Sequence, residues 1–188
     1  MVVLPTLMRF PEAALETGDL VIGAFGPGDL PGLTAMIESG DGDAGLPPSA
    51  PLETAALERW LESEAEEFRR SGGGIHLAIR TAGGVHLGGM SLYKTDWAAR
   101  TVQVGYGLRT SARGRGHATE ALRAVAPWAL REGGMQRVQL CANTDNLASL
   151  RVAEKAGFVR EGTLRRANLE SDGLHDLAVF SLLDTDLG

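Results

Sequence analysis

The sequence predicts a single α/β domain built on a mixed sheet of about six to seven strands, with helices on both faces. The chain has 188 residues, which suits one domain with a real core. Short apolar runs with strand-like alternation are separated by segments with helical spacing. Single helices between strands imply parallel pairing, whereas hairpins imply antiparallel pairing, so we expect a mixed sheet. We treat residues 1–188 as one domain and residues 1–18 as an N-terminal extension.

The first part of the chain predicts one strand and two helices. Leu20–Phe25 is a short apolar strand, and Asp29 is placed to cap a helix over Leu30–Ser39. Gly40–Pro51 is rich in Gly and Pro, so it is either a lid on the substrate side or a plain surface connector. Leu52–Arg70 has apolar residues at helical spacing among many glutamates, which indicates an amphipathic helix.

The remainder alternates between the two kinds of structure. A glycine turn joins two alternating runs into a hairpin, another strand leads into an Arg/Gly loop, and Gly157 is placed to end the last helix in a left-handed conformation with Phe158 packing back. The predicted strands are Ile75–Arg80, Val85–Leu92, Thr101–Leu108, Arg137–Ala142, Phe158–Leu164 and Leu174–Leu183; the predicted helices begin at Ala118 and Asn146 and end before Gly133 and Gly157.

The composition excludes several classes of protein. A net charge of −6 argues against a nucleic-acid-binding surface over the whole molecule. Residues 100–170 hold 12 basic and 6 acidic residues, whereas the rest holds 6 basic and 18 acidic, which favours a polyanionic ligand on the basic part and allows a cationic acceptor facing the other. Cys141 is the only cysteine, so no intrachain disulfide is possible.

The chain also has no pattern typical of a membrane protein or of a metal site. Met1–Pro11 does not resemble a signal peptide, and no run approaches the length needed to cross a bilayer. We therefore expect a cytoplasmic protein with no membrane partner. The four histidines are scattered without metal-ligand spacing, so we expect no bound metal.

The most informative segment is Leu108–Leu122, where a strand is followed by an Arg/Gly loop and the start of a helix. Gly114 and Gly116 allow backbone N–H groups to converge on an anion at the positive end of the helix. Arg113 and Arg115 add full charges beside them. The segment therefore predicts a phosphate-binding loop.

Other phosphate-binding folds fit this segment less well. The P-loop pattern GxxxxGK[ST] is absent, because no lysine follows Gly116. A dinucleotide fold places its glycine-rich turn after the first strand, with an acidic residue on the next strand; here the loop lies in the middle of the chain, and Glu132 lies at a helix end. If the ligand is instead the pyrophosphate of coenzyme A, the protein is an acyl transferase, and the rest of the chain must supply the acyl-group chemistry.

A second segment, Asn143–Phe158, completes the pattern. Together with Arg113–Ala118, which is similar to a [Q/R]xxGx[G/A] signature, it resembles the GNAT superfamily of acyl-CoA-dependent N-acetyltransferases. The words GYGLR, ARGRGHATEAL, DNLAS and RVAEKAGFVREG resemble the RimJ/RimL-type subgroup most closely. The resemblance extends over about residues 20–183 and implies a single GNAT-like domain.

The resemblance implies a set of cofactor contacts with acetyl-CoA. Backbone N–H groups from Arg113 to Thr119 would hold the pyrophosphate, and Asn146 would bond the pantetheine arm. The backbone of β-strand residues Tyr106–Leu108 would pair with pantetheine amides as an added strand does. The complete set of implied cofactor residues is Tyr106, Gly107, Leu108, Arg113, Gly114, Arg115, Gly116, His117, Ala118, Thr119, Asn146 and Ser149, with His117 lining the loop rather than acting as a base.

The resemblance implies fewer catalytic groups. The tyrosine that many family members use to protonate the leaving thiolate is replaced by Ala153, so Ser149, three residues after the motif asparagine, is the candidate. The usual glutamate before the loop is Gln103, whose amide is a doubtful base. The subgroup's alternative acidic position holds Asn168, and Glu170 or Asp176 would then act through water.

The sequence therefore predicts an N-acetyltransferase that acetylates a primary amine, on a protein N-terminus or a small molecule, by direct attack in a ternary complex. Because an α-amine has a lower pKa than a lysine, it needs less help from a base. Three alternatives stay open: an acyl-CoA-binding sensor with weak activity, a transferase for another acyl group such as succinyl, and a nucleotide-binding protein outside this family. The acceptor is unassigned, and a homodimer is compatible with the sequence.

Overall fold

The computed structural model describes residues 8–41 and 45–187, which form one eight-stranded sheet with helices on both faces. The order of the strands is β1-β2-β3-β4-β5-β6-β8-β7, and β5 with β6 is the only parallel pair within the described residues. The strands are β1 Ala14–Glu16, β2 Leu20–Ala24, β3 Ile75–Thr81, β4 His86–Asp96, β5 Thr101–Leu108, β6 Arg137–Asn143, β7 Val159–Glu170 and β8 Gly173–Leu183. The prediction of a mixed sheet is confirmed.

The helices form two groups. The first group packs through Leu33, Met36, Leu57 and Trp60 against Ala78 of β3, and the second packs against the other face of the sheet. The helices are α1 Leu30–Glu38, α2 Thr54–Arg59, α3 Ala65–Arg70, α4 His117–Arg131 and α5 Leu147–Lys155, with a π-helical turn at Trp60–Glu64 joining α2 to α3. The segment Leu52–Arg70, predicted as one helix, is therefore helical but interrupted by that turn.

The larger core lies between the sheet and α4. Ala121, Leu122, Val125 and Ala129 of α4 are all fully buried, which matches the apolar face expected from their spacing. Phe10 is also fully buried, stacks on Trp128 and contacts Trp97 with its ring tilted by 50°. This core fixes the direction in which α4 leaves the Arg/Gly loop.

Three elements differ from the sequence prediction. The sheet has eight strands rather than six to seven, because β1 lies within the segment predicted as an N-terminal extension. Strand β4 continues to Asp96, past the predicted end at Leu92. Strand β7 continues to Glu170, so most of the predicted connection between Leu164 and Leu174 is a strand.

The predicted helix caps are occupied, although not all by the expected bonds. Asp29 precedes α1, but its carboxylate accepts from the Gly26 N–H (2.9 Å) and from Arg80 Nε (2.6 Å) instead of capping α1. At the end of α5, Gly157 is left-handed (φ 90°) and the Phe158 N–H donates to the Ala153 carbonyl, as predicted.

Across residues 8–41 and 45–187, no helix combines the length and the apolar character that crossing a bilayer requires. The predictions for Met1–Pro11 and for the Gly40–Pro51 loop fall in part on residues 1–7 and 42–44, which lie outside the described residues.

Candidate active site

The two parallel strands separate part-way along their length. Pairing of β5 with β6 runs from Thr101 opposite Arg137 to Val104 opposite Leu140 and then stops. Beyond that point, β5 pairs only with β4 up to Leu108, and β6 pairs only with β8. The β5 edge over residues 105–108 therefore presents backbone groups without a strand partner, which a ligand with amide groups can pair with.

Both helices that follow these strands begin at this opening. Helix α4 begins after β5 and α5 begins after β6, so their positive N-termini face the same cleft. The cleft contains a cavity of about 350 Å³ between β5, the loop and α5. It is lined by Tyr106, Gly107, Leu108, Arg113, Gly114, Ala118, Asn146, Ala148, Ser149 and Val152. Eight of the residues predicted to bind the cofactor thus lie together.

The conformation of the loop depends on its glycines. Gly114 (φ 72°) and Gly116 (φ 89°) are both left-handed, and a β-carbon at either position would meet no protein atom. Glycine is therefore favoured here by backbone conformation rather than by crowding. The N–H groups in the first turn of α4 have no partner within the helix, which leaves them available to an anion.

One predicted donor is already used. The Arg113 N–H donates to the Thr110 carbonyl (3.2 Å), and Arg113 Nε donates to the Leu108 carbonyl (2.9 Å). The geometry therefore removes the Arg113 N–H from the predicted set of phosphate donors. Its side chain instead ties the loop to the end of β5, and its charge stays beside the cavity.

The other predicted loop residues lie on neighbouring surfaces. Arg115, Gly116 and Thr119 line an adjoining cavity of about 640 Å³ with Arg123 and Lys155. His117 and Arg109 line another, of about 580 Å³, in which the Nδ1 atom of His117 has no hydrogen-bond partner among the described residues. The predicted cofactor residues therefore line three cavities around the loop rather than a single one.

The first turn of α5 places Asn146 and Ser149 in the cleft. Asn146 Oδ1 accepts from the Ser149 N–H (3.1 Å), so its side chain caps the helix, and the residue also lines the cavity. The Tyr106 hydroxyl is buried, lies close to Ser149, and makes no hydrogen bond of good geometry within the described residues. Burial raises the pKa of Tyr106, and the proximity of Ser149 opposes this, so the phenol stays protonated at neutral pH.

A polar cavity of about 380 Å³ continues from Tyr106 into the gap between β5 and β6. Gln103 lines it, and its Nε2 donates to the Tyr93 hydroxyl (3.0 Å). Burial raises the pKa of Tyr93, the more so with Cys141 nearby, against the effect of the Gln103 hydrogen bond. Neither group is a base at neutral pH. Cys141 lines the same cavity within strand β6.

The acidic candidates divide into two groups. Glu170 lines the polar cavity, and its Oε1 accepts from Asn143 Nδ2 (2.7 Å) and Asn168 Nδ2 (2.9 Å). Asp176 is absent from the lining of that cavity and accepts from the Arg166 N–H (2.7 Å). Glu170 is therefore the better placed of the two predicted carboxylates.

Sequence reasoning missed Tyr93 and Asn143 as parts of this site. Tyr93 is opposite Gln103 across β4 and β5, and Asn143 is the last residue of β6. Only the pairing register brings them to the cleft, although an asparagine three residues before the motif Asn146 was a usable signal.

Glu170, Asp172 and His175 also lie with ligand atoms within 4.8 Å of one another at the β7–β8 turn, where Asp172 bonds His175 (2.8 Å).

A model of the acetyltransferase (GNAT) domain matches residues 19–159, about three quarters of the chain. The chain belongs to the GNAT acetyltransferase family. The match begins just before β2 and ends at the start of β7, so it contains the open edge, the loop and α5. The resemblance stated from the sequence is confirmed.

The relatives within the GNAT family agree with this assignment. The chain is 37% identical over 114 residues to a probable N-acetyltransferase, YjcK, of Bacillus subtilis, and 28% identical over 95 residues to a ribosomal-protein-serine acetyltransferase of Escherichia coli. These matches cover 59% and 50% of this chain and 62% and 53% of the relatives, so the chain spans about half to three fifths of their length.

A solved GNAT structure shares the fold. RimL, a ribosomal-protein α-N-acetyltransferase in complex with coenzyme A, superposes with a TM-score of 0.76 at 19% identity. The superposition covers 89% of this chain and 95% of RimL. At that level of identity the similarity establishes the fold, which extends beyond the part matched by the sequence relatives.

Proposed function

We propose that this GNAT domain is an acetyl-CoA-dependent N-acetyltransferase that acetylates a primary amine by direct attack in a ternary complex. The observation that carries the proposal is the unpaired β5 edge over residues 105–108, which faces the N-termini of α4 and α5 across one cleft. The edge fits the amides of a pantetheine arm, and the helix N-termini fit a pyrophosphate. RimL, which shares this fold, was solved with coenzyme A.

The residues of the cleft have separable tasks in this proposal. Backbone N–H groups at the β5 edge stabilise the negative charge that develops on the carbonyl oxygen during attack. Ser149 donates a hydrogen bond or a proton to the leaving sulfur. Where Ser149 gives up a proton, the protonated Tyr106 hydroxyl beside it returns one to the Ser149 oxygen, and water from solvent reprotonates the phenolate. Acetyl-CoA, when bound, supplies the activated acyl group.

The amine loses its proton on the other side of the β5 edge. Gln103 and Tyr93 hold each other in place and accept no proton at neutral pH, so Glu170 takes up the proton through water. Such indirect help suits an amine with a low pKa, and α-amines are near 8 whereas lysine is near 10.4. We therefore propose a protein N-terminus or a small amine of low pKa as the acceptor, in the cytoplasm.

Replacement of Ser149 by alanine tests this function. The backbone N–H of residue 149, which Asn146 caps, is retained, so the helix start survives the change. We expect Ser149→Ala to lose about 10²-fold or more in kcat and to bind coenzyme A unchanged in calorimetry. Turnover is followed as thiol release from acetyl-CoA with a panel of α-amine peptides and small amines.

The matched control is Ser63→Ala, an exposed serine far along the chain whose hydroxyl bonds only the Arg59 carbonyl. It should leave turnover intact. If the unaltered protein binds coenzyme A tightly but releases no thiol with any amine, the catalytic proposal fails. The alternative of an acyl-CoA sensor, which Gln103 at the usual glutamate position favours, would then stand.

A further inference from the structure

A separate hollow lies on the sheet face covered by α1 to α3, on the opposite side of β5 from the coenzyme cleft. It has a volume of about 530 Å³ and adjoins the cleft at Tyr106 and Gly107. The full lining is Gly45, Leu46, Pro47, Pro48, Ser49, Phe68, His76, Gly89, Ser91, Tyr93, Gly105, Tyr106 and Gly107. The hollow therefore opens onto the place where the acyl group and the amine must meet.

The hollow exists because small residues pair across β4 and β5. Gly89 is opposite Gly107 and Ser91 is opposite Gly105. These two neighbouring cross-strand pairs lie on the same face of the sheet, and their four side chains are absent or small. The loop that starts at Gly45 then packs over them, and a β-carbon at Gly89 would lie 2.0 Å from the Gly45 carbonyl oxygen. Residues 45–49 of the Gly/Pro-rich loop thus form the outer wall.

The described lining of the hollow has no formal charge. The His76 ring stacks on Phe68 (centroids 4.4 Å apart, planes 11° apart), and its Nδ1 shares a hydrogen bond with Ser91 Oγ (2.8 Å). Burial lowers the pKa of His76 to about 4, so the imidazole is neutral at pH 7. The remaining side chains of the wall are those of one leucine, two prolines, two tyrosines and Ser49, with glycines between them.

The polar cavity on the other side of Tyr93 has the opposite chemistry. It contains Lys94, Gln103, Asn143 and Glu170, and it shares Tyr93, Gly105 and Tyr106 with the hollow. A molecule that spans the junction would have its amine near the polar groups and its adjoining substituent among apolar ones. Transfer of a charged substituent into the hollow would be costly, because no counter-charge is present in its described lining.

We propose that this hollow receives the substituent next to the acceptor amine and selects an uncharged apolar or aromatic one. Gly89, Ser91, Phe68 and His76 set its shape, and the exposed Ser49 lies at its rim. The proposal rests on the proposed function, because it names the acceptor class of that same site. It narrows the acceptor to amines such as an N-terminus whose first side chain is apolar.

The first experiment compares four tetrapeptides that differ only in their first residue, which is Phe, Leu, Lys or Asp. Thiol release from acetyl-CoA gives kcat/KM for each with the full-length chain. We expect the Phe and Leu peptides to exceed the Lys and Asp peptides by at least ~10-fold, since apolar pockets discriminate by about 10–200-fold per group. Equal or higher values for the charged peptides would overturn the proposal and leave the proposed function intact.

A charge at the rim gives a second, directional test. Ser49→Glu should raise kcat/KM for the Lys peptide relative to the Phe peptide by at least ~5-fold, because it supplies a partner for an ammonium group. The matched control, Ser63→Glu, adds the same charge at an exposed serine outside the lining of the hollow and should leave that ratio unchanged. An unchanged ratio in Ser49→Glu would count against the hollow as the substituent site.

A binding measurement separates failure of this proposal from failure of catalysis. The N-acetylated forms of the four peptides are titrated into the protein saturated with coenzyme A, and calorimetry reports their Kd values. Tighter binding of the Phe and Leu products, by at least ~10-fold, supports the proposal even if no amine turns over. Equal binding, or no binding of any product, refutes it.

Discussion

At the scale of single residues, Gln103 limits what the polar cavity can do. Its amide donates to Tyr93, whose own pKa is raised by burial, so the pair orients groups without taking protons. Glu170 is then the candidate base, because its carboxylate lines the cavity even though it belongs to β7, the edge strand of the sheet. Under the proposed function, the base lies at some distance from β5, and we expect the site to favour amines that need little help to lose a proton.

Gln103→Glu tests this dependence. The new carboxylate would face the Tyr93 hydroxyl inside the cavity, and a positioned base contributes about 10²–10⁴-fold in favourable cases. We expect kcat/KM, measured at about pH 7.5, to rise at least ~10-fold for a lysine-like amine and by a smaller factor for an α-amine. Gln139→Glu, on the neighbouring strand β6 but absent from the cavity lining, is the control. An equal effect on both amines would contradict the assignment of the cavity.

Asn146 combines two tasks that one substitution can separate. Asp at this position keeps an oxygen that accepts from the residue 149 N–H, and its charge suits a helix N-terminus, but it loses the amide donor. The free energy of unfolding of Asn146→Asp should therefore stay within about 0.5 kcal/mol of that of the unaltered protein, while its Kd for coenzyme A rises. Asn146→Ala should lose about 1 kcal/mol of stability as well. Urea denaturation and calorimetry measure both, and unchanged affinity in Asn146→Asp would show that Asn146 is a cap alone.

At the scale of elements, the loop from Arg113 to Gly116 keeps its shape by backbone conformation and by one side chain. Arg113 donates to the Leu108 carbonyl and so fastens the loop to the strand before it. Gly114 and Gly116 then turn the chain through two left-handed residues into α4. The free N–H groups of the first helical turn are aimed by this turn, and Glu120 holds the same end of α4 to Thr17 and Asp19.

Gly116→Ala should disturb both stability and cofactor binding. A left-handed alanine costs about 1–2 kcal/mol, and any relaxation moves the N–H groups of α4. We expect the free energy of unfolding to fall by about that amount and the Kd for coenzyme A to rise at least ~10-fold. Gly83→Ala, whose β-carbon meets only Thr81 Oγ1 at 3.7 Å and whose φ is not left-handed, should change neither.

Elements with strong local patterns were predictable from the sequence, and those that depend on pairing were not. The loop with α4, and Asn146 with α5, followed from motifs within about 15 residues. Strand β1 was missed because three residues carry too little alternation to register. The second half of β7, RRANLE, was missed because its residues are mostly polar and mark no apolar face, and pairing with β8 and bonds to Asn143 of β6 hold it.

At the scale of the whole molecule, three groups link stability to acid in the same direction. Burial raises the pKa of Asp29, but the neighbouring His86 and the hydrogen bonds from Arg80 and the Gly26 N–H lower it to about 2. Hydrogen bonds from Arg137 and Ser181 lower the pKa of Glu161 to about 2. These carboxylates stabilise the fold above the ordinary carboxyl pKa near 4, and their contribution is lost as the pH falls through about 2.

His76 starts the loss earlier. Its folded pKa is about 4 against an ordinary value of 6.5, so the unfolded chain takes up the proton first and stability falls between those values, by at most ~1.4 kcal/mol per pH unit. Urea denaturation at pH 7, 5 and 3 (about two pH units apart) should show His76→Asn losing the slope between pH 7 and 5. Asp172 raises the pKa of His175, so protonated His175 stabilises the fold at low pH. Compared with the unaltered protein, His175→Asn should therefore lose more stability at pH 5 than at pH 7. A slope unaffected by His76→Asn would contradict the burial of a neutral imidazole.

The acceptor side of the molecule was the least predictable part of the site. Gly89 with Gly107, and Ser91 with Gly105, are separated by 14 or more positions along the chain, and only the β4–β5 register makes them one surface. The coenzyme side, in contrast, could be predicted because its backbone donors are formed by neighbouring residues. Tyr93 entered the site through strand pairing alone, whereas Glu170 was a candidate from the sequence and the pairing of β7 with β8 favours it over Asp176.

The separation of β5 from β6 creates a sheet edge in the interior of the sheet instead of at its rim. An edge at the rim is open to any passing polypeptide and is a risk for aggregation. This interior edge is bounded on its other side by β6 and α5, so only a narrow, flexible chain with its own amide groups can enter. Recognition there relies on backbone atoms that every residue type shares, and the side chains around it remain free to change with the acceptor. A fold of this kind can thus keep one acyl donor while substitutions in the surrounding side chains change the acceptor.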